Sequence, residues 1–163
     1  MVRRVFFSFH YERDIWRVSQ VRNSWVTKPD IEEAGYIDKA GWESLEREGE
    51  EAIKRWIMRQ LDGTSVTVVL IGGETSKRRW VGYEIDQSSR KGNGMLGIYI
   101  HNVKDQNSLT DTKGSNPFDN RYIEQNGQKT YLSQLYPTYD WVNDNGYDNF
   151  GDWVEKAAQK AGR

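Results

Sequence analysis

Glu84 and Trp80 stand four residues apart in Arg79-Trp80-Val81-Gly82-Tyr83-Glu84-Ile85. On an α-helix, residues at i and i+4 lie on one face, one turn apart, so this spacing sets a carboxylate beside an indole. Two readings stay open at this level. One is a solvated acid next to a packed ring, the commoner fate of helix carboxylates. The other is a carboxylate held at a site.

Just upstream, Lys77, Arg78 and Arg79 fall in the predicted first turn of the same helix, behind Gly72-Gly73. The helix macrodipole disfavours cations there, so a bound anion would account for them, with the glycine backbone amides facing a pyrophosphate. Exposed cations at a helix start cost only about a few tenths of a kcal/mol each, however, and need no ligand. His10 and His101 are the only histidines and there is no cysteine, which leaves no clustered zinc ligands and no cysteine nucleophile. A Ser-His-Asp triad has no support either, and no metal is expected.

These residues need elements to hold them. Val5-Phe6-Phe7-Ser8-Phe9 is a short apolar run of the kind that forms a buried parallel strand. Ile15, Val18, Val21 and Trp25 then recur at helical spacing, predicting a helix from Asp14 to about Trp25 that Pro29 ends. Gly35 to Asp38 reads as a short strand and Gly41-Trp42 as loop. Leu45, Ala52, Ile53, Trp56, Ile57 and Leu61 predict a second helix.

Val66 to Ile71 is β-branched and apolar throughout and predicts the central strand. Thr75 or Ser76 is placed to cap the Trp80–Glu84 helix, which should stop near Gly92, and Met95 to Ile100 reads as a further strand. Residues 102 to 138 are polar and too long for an ordinary connection, so they predict a structured or functional insertion. Within it, Asn126-Gly127 between Arg121-Tyr122-Ile123 and Thr130-Tyr131-Leu132 predicts a type I′ hairpin. Tyr139 to Val142 reads as a last strand, and Phe150, Trp153, Val154, Ala157 and Ala158 as a closing helix.

Alternating strands and helices imply an α/β, flavodoxin-like three-layer fold with a mostly parallel central sheet. Ligands in such folds bind beyond the carboxyl ends of the strands. That rule should bring Phe9 to Tyr11, Asp38 to Glu43, Gly72 to Arg79 and His101-Asn102 to one edge.

Bulk properties narrow the function. The chain's 163 residues suit one domain, 1–163. Lys+Arg 23 against Asp+Glu 24 leaves a net charge of −1, so no positive field draws nucleic acid or anionic lipid. The absence of cysteine fits a reducing compartment, the first apolar run is too short for a signal-peptide core, and nothing approaches a membrane span. A cytoplasmic protein without nucleic-acid or membrane partners is expected.

Phe6-Phe7-Ser8-Phe9 resembles the opening strand of TIR domains, and Ser76 to Ile85 resembles their Trp-Cys-x-x-Glu helix, with Val81 where many members have Cys. Arg4 to Tyr11, Val21 to Lys28 and Tyr139 to Val142 resemble the TIR-like sensor subunits of Thoeris anti-phage systems in particular. The segment between Thr27 and Trp42 departs from the general TIR pattern, which puts loop-dependent self-assembly in doubt more than catalysis.

The resemblance implies a TIR-like fold and an NAD-consuming enzyme that releases nicotinamide and a cyclic or linear ADP-ribose signal. Glu84 takes the catalytic part, and NAD is the substrate. Ser8, Phe9, His10, Tyr11, Trp42, Lys77, Arg78 and Trp80 are the expected substrate-binding residues. The aromatic ones would stack on nicotinamide or adenine, although most Trp residues of such a chain must be core. The implied partners are further copies of the chain through TIR contacts, a phage trigger and a separate effector protein, since no effector domain is recognised in this sequence. Two other readings stand beside it: a non-catalytic TIR interaction module, and a nucleoside deoxyribosyltransferase-like enzyme with a glutamate at a ribosyl carbon.

Overall fold

The computed structural model describes residues 3–25 and 31–163. In chain order it has β1 (Arg3–Ser8), α1 (Ile15–Trp25), β2 (Ile31–Ala34), α2 (Lys39–Glu48), α3 (Glu50–Leu61), β3 (Val66–Ile71) and α4 (Arg79–Lys91). These are followed by β4 (Gly94–Tyr99), β5 (Tyr122–Gln125), β6 (Gln128–Tyr131), α5 (Leu132–Leu135), β7 (Thr138–Asp140) and α6 (Gly146–Lys160). Five strands form one sheet in the order β2-β1-β3-β4-β7, every pair parallel. This is the flavodoxin-like order, as expected, with the chain reversing its direction of winding between β1 and β3. In such sheets that reversal opens the ligand crevice.

All six residues of β3 are buried, as a central strand covered on both faces requires. Val68 and Leu70 join the cluster built with Val18 and Val21 of α1 and Phe150 and Val154 of α6. Val69 and Ile71 join the one built with Val81 and Ile85 of α4. Val81, the position where many TIR domains carry Cys, is 1% exposed in that second cluster, where a branched apolar side chain packs well.

Several boundaries differ from the sequence reading for local reasons. The second strand lies at Ile31–Ala34 rather than Gly35 to Asp38. Gly35 has φ +83, and a Cβ there would strike the Phe7 carbonyl and the Phe6 ring, so the chain turns away from the sheet at that point. Trp42 stands on helix α2, not in a loop, because Asp38 accepts a 2.8 Å hydrogen bond from the Gly41 amide and caps a helix beginning at Lys39. The expected long helix is two helices, parted at Gly49 with φ +105. Pro29 and the Val26 to Lys28 part of the resemblance lie outside the described residues.

Neither Thr75 nor Ser76 caps α4. Thr75 sits in a short 3-10 turn, where its Oγ1 accepts from the Gly72 amide at 2.8 Å and donates to Asp14 Oδ2 at 3.4 Å; the N-cap of α4 is Arg78. The helix ends at left-handed Gly92, as predicted.

The insertion contains the expected hairpin. Asn126 and Gly127 take φ of 53 and 78, as a type I′ turn requires, and β5 pairs antiparallel with β6. The segment is packed onto the body rather than hanging free. Phe118 and Leu132 are buried against α4 residues, and the Arg121 guanidinium bonds both carboxylate oxygens of Asp86 at 2.7 Å, passing over Gly82. Its first part is tied to α1. Arg17 donates to the Val103 and Leu109 carbonyls at 2.7 and 2.9 Å, and Arg13 pairs with Asp111 at 2.7 Å. Among the described residues, no helix is long and apolar enough to cross a membrane.

Candidate active site

The end of β1, the start of α2 and the start of α4 meet above the β1/β3 crevice. At their centre is Glu84, 0% exposed. Its Oε1 accepts from the Ser8 hydroxyl at 2.8 Å and its Oε2 from the Tyr11 hydroxyl at 3.0 Å. Ser8 is wholly buried and Tyr11 is 1% exposed, so the carboxyl group is sealed from bulk water. The sequence-level picture of a solvated acid is therefore replaced by an acid in the protein interior.

Burial pushes the Glu84 carboxyl up to about 8, against the hydrogen bonds from Ser8 and Tyr11 and the nearby Arg78 charge, all of which favour the carboxylate. Near neutral pH the acid is predominantly protonated in this closed arrangement. Tyr11 is held far above its ordinary value by burial and then by Glu84, so it remains a hydrogen-bond donor. His10, on the other side of Tyr11, is lowered by burial and by Arg78.

Tyr11 stacks on Trp42 with centroids 4.4 Å apart and planes at 17°, and Phe9 packs against Tyr11 at 4.6 Å. Phe9, Tyr11 and Trp42 are all buried. In this structure the three expected aromatic walls pack on one another and close over Glu84. Trp42 Nε1 is buried without a hydrogen-bond partner. The Arg78 guanidinium lies 5.5 Å from the Tyr11 centroid and 5.1 Å from that of Trp42. Outside this layer is a cleft of about 400 Å³ lined by His10, Trp42, Glu46, Glu74, Lys77, Arg78, Arg79 and Trp80.

All the expected substrate-binding residues thus gather in one region, as the strand-end rule predicts, though in two shells. Ser8, Phe9, Tyr11 and Trp42 are inside with Glu84, while His10, Lys77, Arg78 and Trp80 face the cleft. Trp80 does not hydrogen-bond Glu84; it packs edge-on to Tyr83 at 5.6 Å, under the Arg79 guanidinium.

The basic triplet is not one helical turn of anion ligands. Lys77 is exposed in the 3-10 turn, Arg78 turns to the aromatic pair, and only Arg79 belongs to the first turn, where it forms an ion pair with Glu50. The glycine cradle is also filled from within. The Gly72 amide is bound to Thr75, and a Cβ on Gly72 or Gly73 would meet Asp14 or Arg13. These glycines serve the close approach of the β1–α1 loop. His101 lies apart, its Nε2 3.9 Å from Asp140.

Sequence reasoning missed that Tyr11 contributes its hydroxyl rather than only its ring. It also missed Arg13, Asp14 and Arg17, which brace the loop bearing Tyr11. Asp14 is raised by burial against the pull of Arg13, which bonds it at 2.8 Å. The signal was present as Arg-Asp-x-x-Arg after the first strand, but its partners, Asp105 and Asp111, are some ninety residues away.

A larger recess of about 520 Å³ opens at the other end of the sheet, between the hairpin, α5 and α6. Its charged lining residues, Lys156 and Lys160, are exposed, and its ionisable Tyr136 and Tyr139 are half-buried and raised by burial. A wholly buried carboxyl group, not volume, makes the Glu84 region the candidate site.

Comparison with known proteins gives the family. The sequence model of the family described as "Thoeris protein ThsB, TIR-like domain" matches residues 6–105, which hold Glu84 and all the expected substrate-binding residues and end just inside the insertion. A protein of Bacillus cereus (strain MSX-D12), named "Putative cyclic ADP-D-ribose synthase ThsB1", is 39% identical over 191 aligned positions, covering 94% of this chain and all of the relative.

Proposed function

The chain belongs to the Thoeris ThsB TIR-like family, and from that premise we propose that it cleaves the nicotinamide–ribose bond of NAD and releases nicotinamide with a cyclic ADP-ribose signal. The observation that carries this reading is a wholly buried Glu84, held by two hydroxyl donors at the β1/β3 crevice. A solvated acid would be an ordinary helix residue; an interior one is costly unless it is used.

The reaction needs one carboxylate. Nicotinamide departs as a neutral molecule from a cationic pyridinium, so no acid has to protonate it, unlike the oxygen leaving group of an ordinary glycoside. As the bond lengthens, positive charge moves onto the ribose. A fixed carboxylate beside that carbon is worth far more in a dry site than in water. Ser8 and Tyr11 hold the Glu84 oxygens in place, and the arriving cation favours the ionised form that burial disfavours.

The ribosyl cation is then captured by whichever nucleophile is nearest. Excluding water favours a ribose hydroxyl or adenine nitrogen of the same molecule, which closes a ring, over hydrolysis to linear ADP-ribose. The Phe9, Tyr11 and Trp42 layer supplies that dryness. The chain's counterparts in this reading are a phage-derived trigger, further copies of itself and a separate effector that receives the signal.

The test incubates NAD with the protein in lysates of infected and uninfected cells and separates nicotinamide, linear ADP-ribose and cyclic products by mass. Wild type is expected to consume NAD with a cyclic product on infection, and Glu84→Gln to leave it intact. NAD left untouched by wild type in infected lysates refutes the reading.

A further inference from the structure

Arg78 is the N-cap of α4, with extended backbone and no side-chain capping bond. Its guanidinium touches both rings of the Tyr11–Trp42 stack, and its Nε is buried without a hydrogen-bond partner. Among the described residues, its side chain forms no salt bridge and donates no hydrogen bond. Its neighbours in the basic triplet behave differently: Lys77 is exposed and Arg79 is paired with Glu50.

A guanidinium is planar, delocalised and always charged. Here its Nε is buried against aromatic surface while the half-buried residue still faces the cleft, and among the described residues it has no carboxylate partner. Cation–π contact is attractive but modest, so such a cation is readily exchanged for another. The nicotinamide ring of NAD is also flat, aromatic and positively charged, and in the NAD-cleaving reading its ribose bond must reach Glu84, which accepts from the hydroxyl of Tyr11, one of the two rings that Arg78 covers.

We propose that Arg78 fills the nicotinamide position of the resting site and acts as an internal competitor that the oxidised, cationic ring of NAD must displace. This rests on the NAD-cleaving reading for the identity of the ligand, but not on turnover. The cleft supplies a destination for the displaced side chain, because Glu46 lines it, together with Glu74, which also pairs with Arg13 at 3.1 Å. The exchange trades one cation for another over the same rings, so a neutral ring gains no such footing. The site therefore selects oxidised nicotinamide over its reduced or free neutral forms, and the unliganded enzyme idles with its own arginine in place.

The experiment uses the whole chain and the N1-methylnicotinamide cation, which has no phosphate that Arg78 might bind, with neutral nicotinamide as the control ligand. Affinities are measured by ligand-observed NMR for wild type, Arg78→Gln and Arg78→Lys. Thermal midpoints confirm that each is folded.

Arg78→Gln is expected to bind the methylnicotinamide cation about tenfold more tightly than wild type, as loss of a cation–π competitor allows. Arg78→Lys should stay near wild type, and affinity for neutral nicotinamide should be unchanged by either substitution. Equal or weaker binding of the cation by folded Arg78→Gln, or no binding by either protein, overturns the proposal, and so does an equal gain for the neutral ligand.

NAD cleavage in infected lysates is scored beside the titration. Cleavage without the affinity gain removes the proposal and leaves the enzymatic reading standing. The affinity gain without cleavage does the reverse.

Discussion

On α4, Ser88 and Glu84 are one turn apart and both wholly buried, yet they sit in clusters built to opposite rules. Around Ser88, Asn93 Nδ2 donates to Thr64 and Thr67 at 3.0 and 3.2 Å, and the Thr67 and Ser88 hydroxyls are 2.7 Å apart. Ser88 donates in turn to the Glu84 carbonyl at 2.7 Å. Thr64 donates a hydrogen bond to the Leu61 carbonyl at 2.6 Å. The Thr64, Thr67 and Ser88 hydroxyls each have a donor or acceptor beside them, and none of these groups is ionisable near neutral pH. Around the Glu84 side chain there is a carboxyl held up to about 8, a cation resting on aromatic rings, and orphaned nitrogens on Trp42 and Arg78. Both clusters leave a buried polar atom unmatched, Asn93 Oδ1 in the first; what divides them is that buried polarity tying elements together is neutral, whereas the Glu84 cluster is ionisable.

Four outcomes would sharpen or break that contrast. The largest is in turnover. Glu84→Gln should lower NAD cleavage at least about a hundredfold, while Thr67→Val, on β3 in the Ser88 cluster, should leave the rate of the folded enzyme near wild type. Equal losses in both would mean that the clusters do not divide as described.

Next is the pH dependence of stability. The folded Glu84 value of about 8 lies above its ordinary value of 4.5. The associated stability is thus complete below about pH 4.5 and is lost as pH rises toward about 8, reaching roughly 3 kcal/mol by pH 7. Urea unfolding from pH 4.5 to 8 should show this decline in wild type and Thr67→Val, with the Glu84 contribution gone in Glu84→Gln. Smaller again, Thr67→Val should cost about 1–2 kcal/mol with little pH dependence, the usual cost of breaking a buried neutral bond.

The smallest effect concerns Tyr11. Its hydroxyl favours the Glu84 carboxylate, so Tyr11→Phe raises the acid further. The rising limb of kcat/KM against pH should move upward, with up to about tenfold loss at pH 7 and less at high pH. A uniform loss at every pH would assign Tyr11 to packing alone.

The sheet was largely legible because buried parallel strands announce themselves as apolar runs: Val66 to Ile71 needed no partner to be recognised. The hairpin was legible because Asn126-Gly127 suits only a few turns. What failed was punctuation. Gly49 and Gly35 act through φ values that one glycine code letter does not disclose, so one helix became two and a strand moved upstream. At the site, spacing placed Glu84 near aromatic residues but could not tell buried from solvated, since that depends on Ser8 and Tyr11 arriving from 76 and 73 residues away. The resemblance identified Glu84; only the packing gave its environment and the seat of Arg78.

The arginine staples from α1 to the insertion also set a timetable. Arg17 leaves the ribosome about ninety residues ahead of its partners at Val103, Leu109 and Asp111. At ordinary translation speeds that is a wait of roughly 5–20 seconds, during which β1, destined for the middle of the sheet, lacks its neighbour β3 for much of the time. The loop that carries Tyr11 is therefore made well before the residues that lock it.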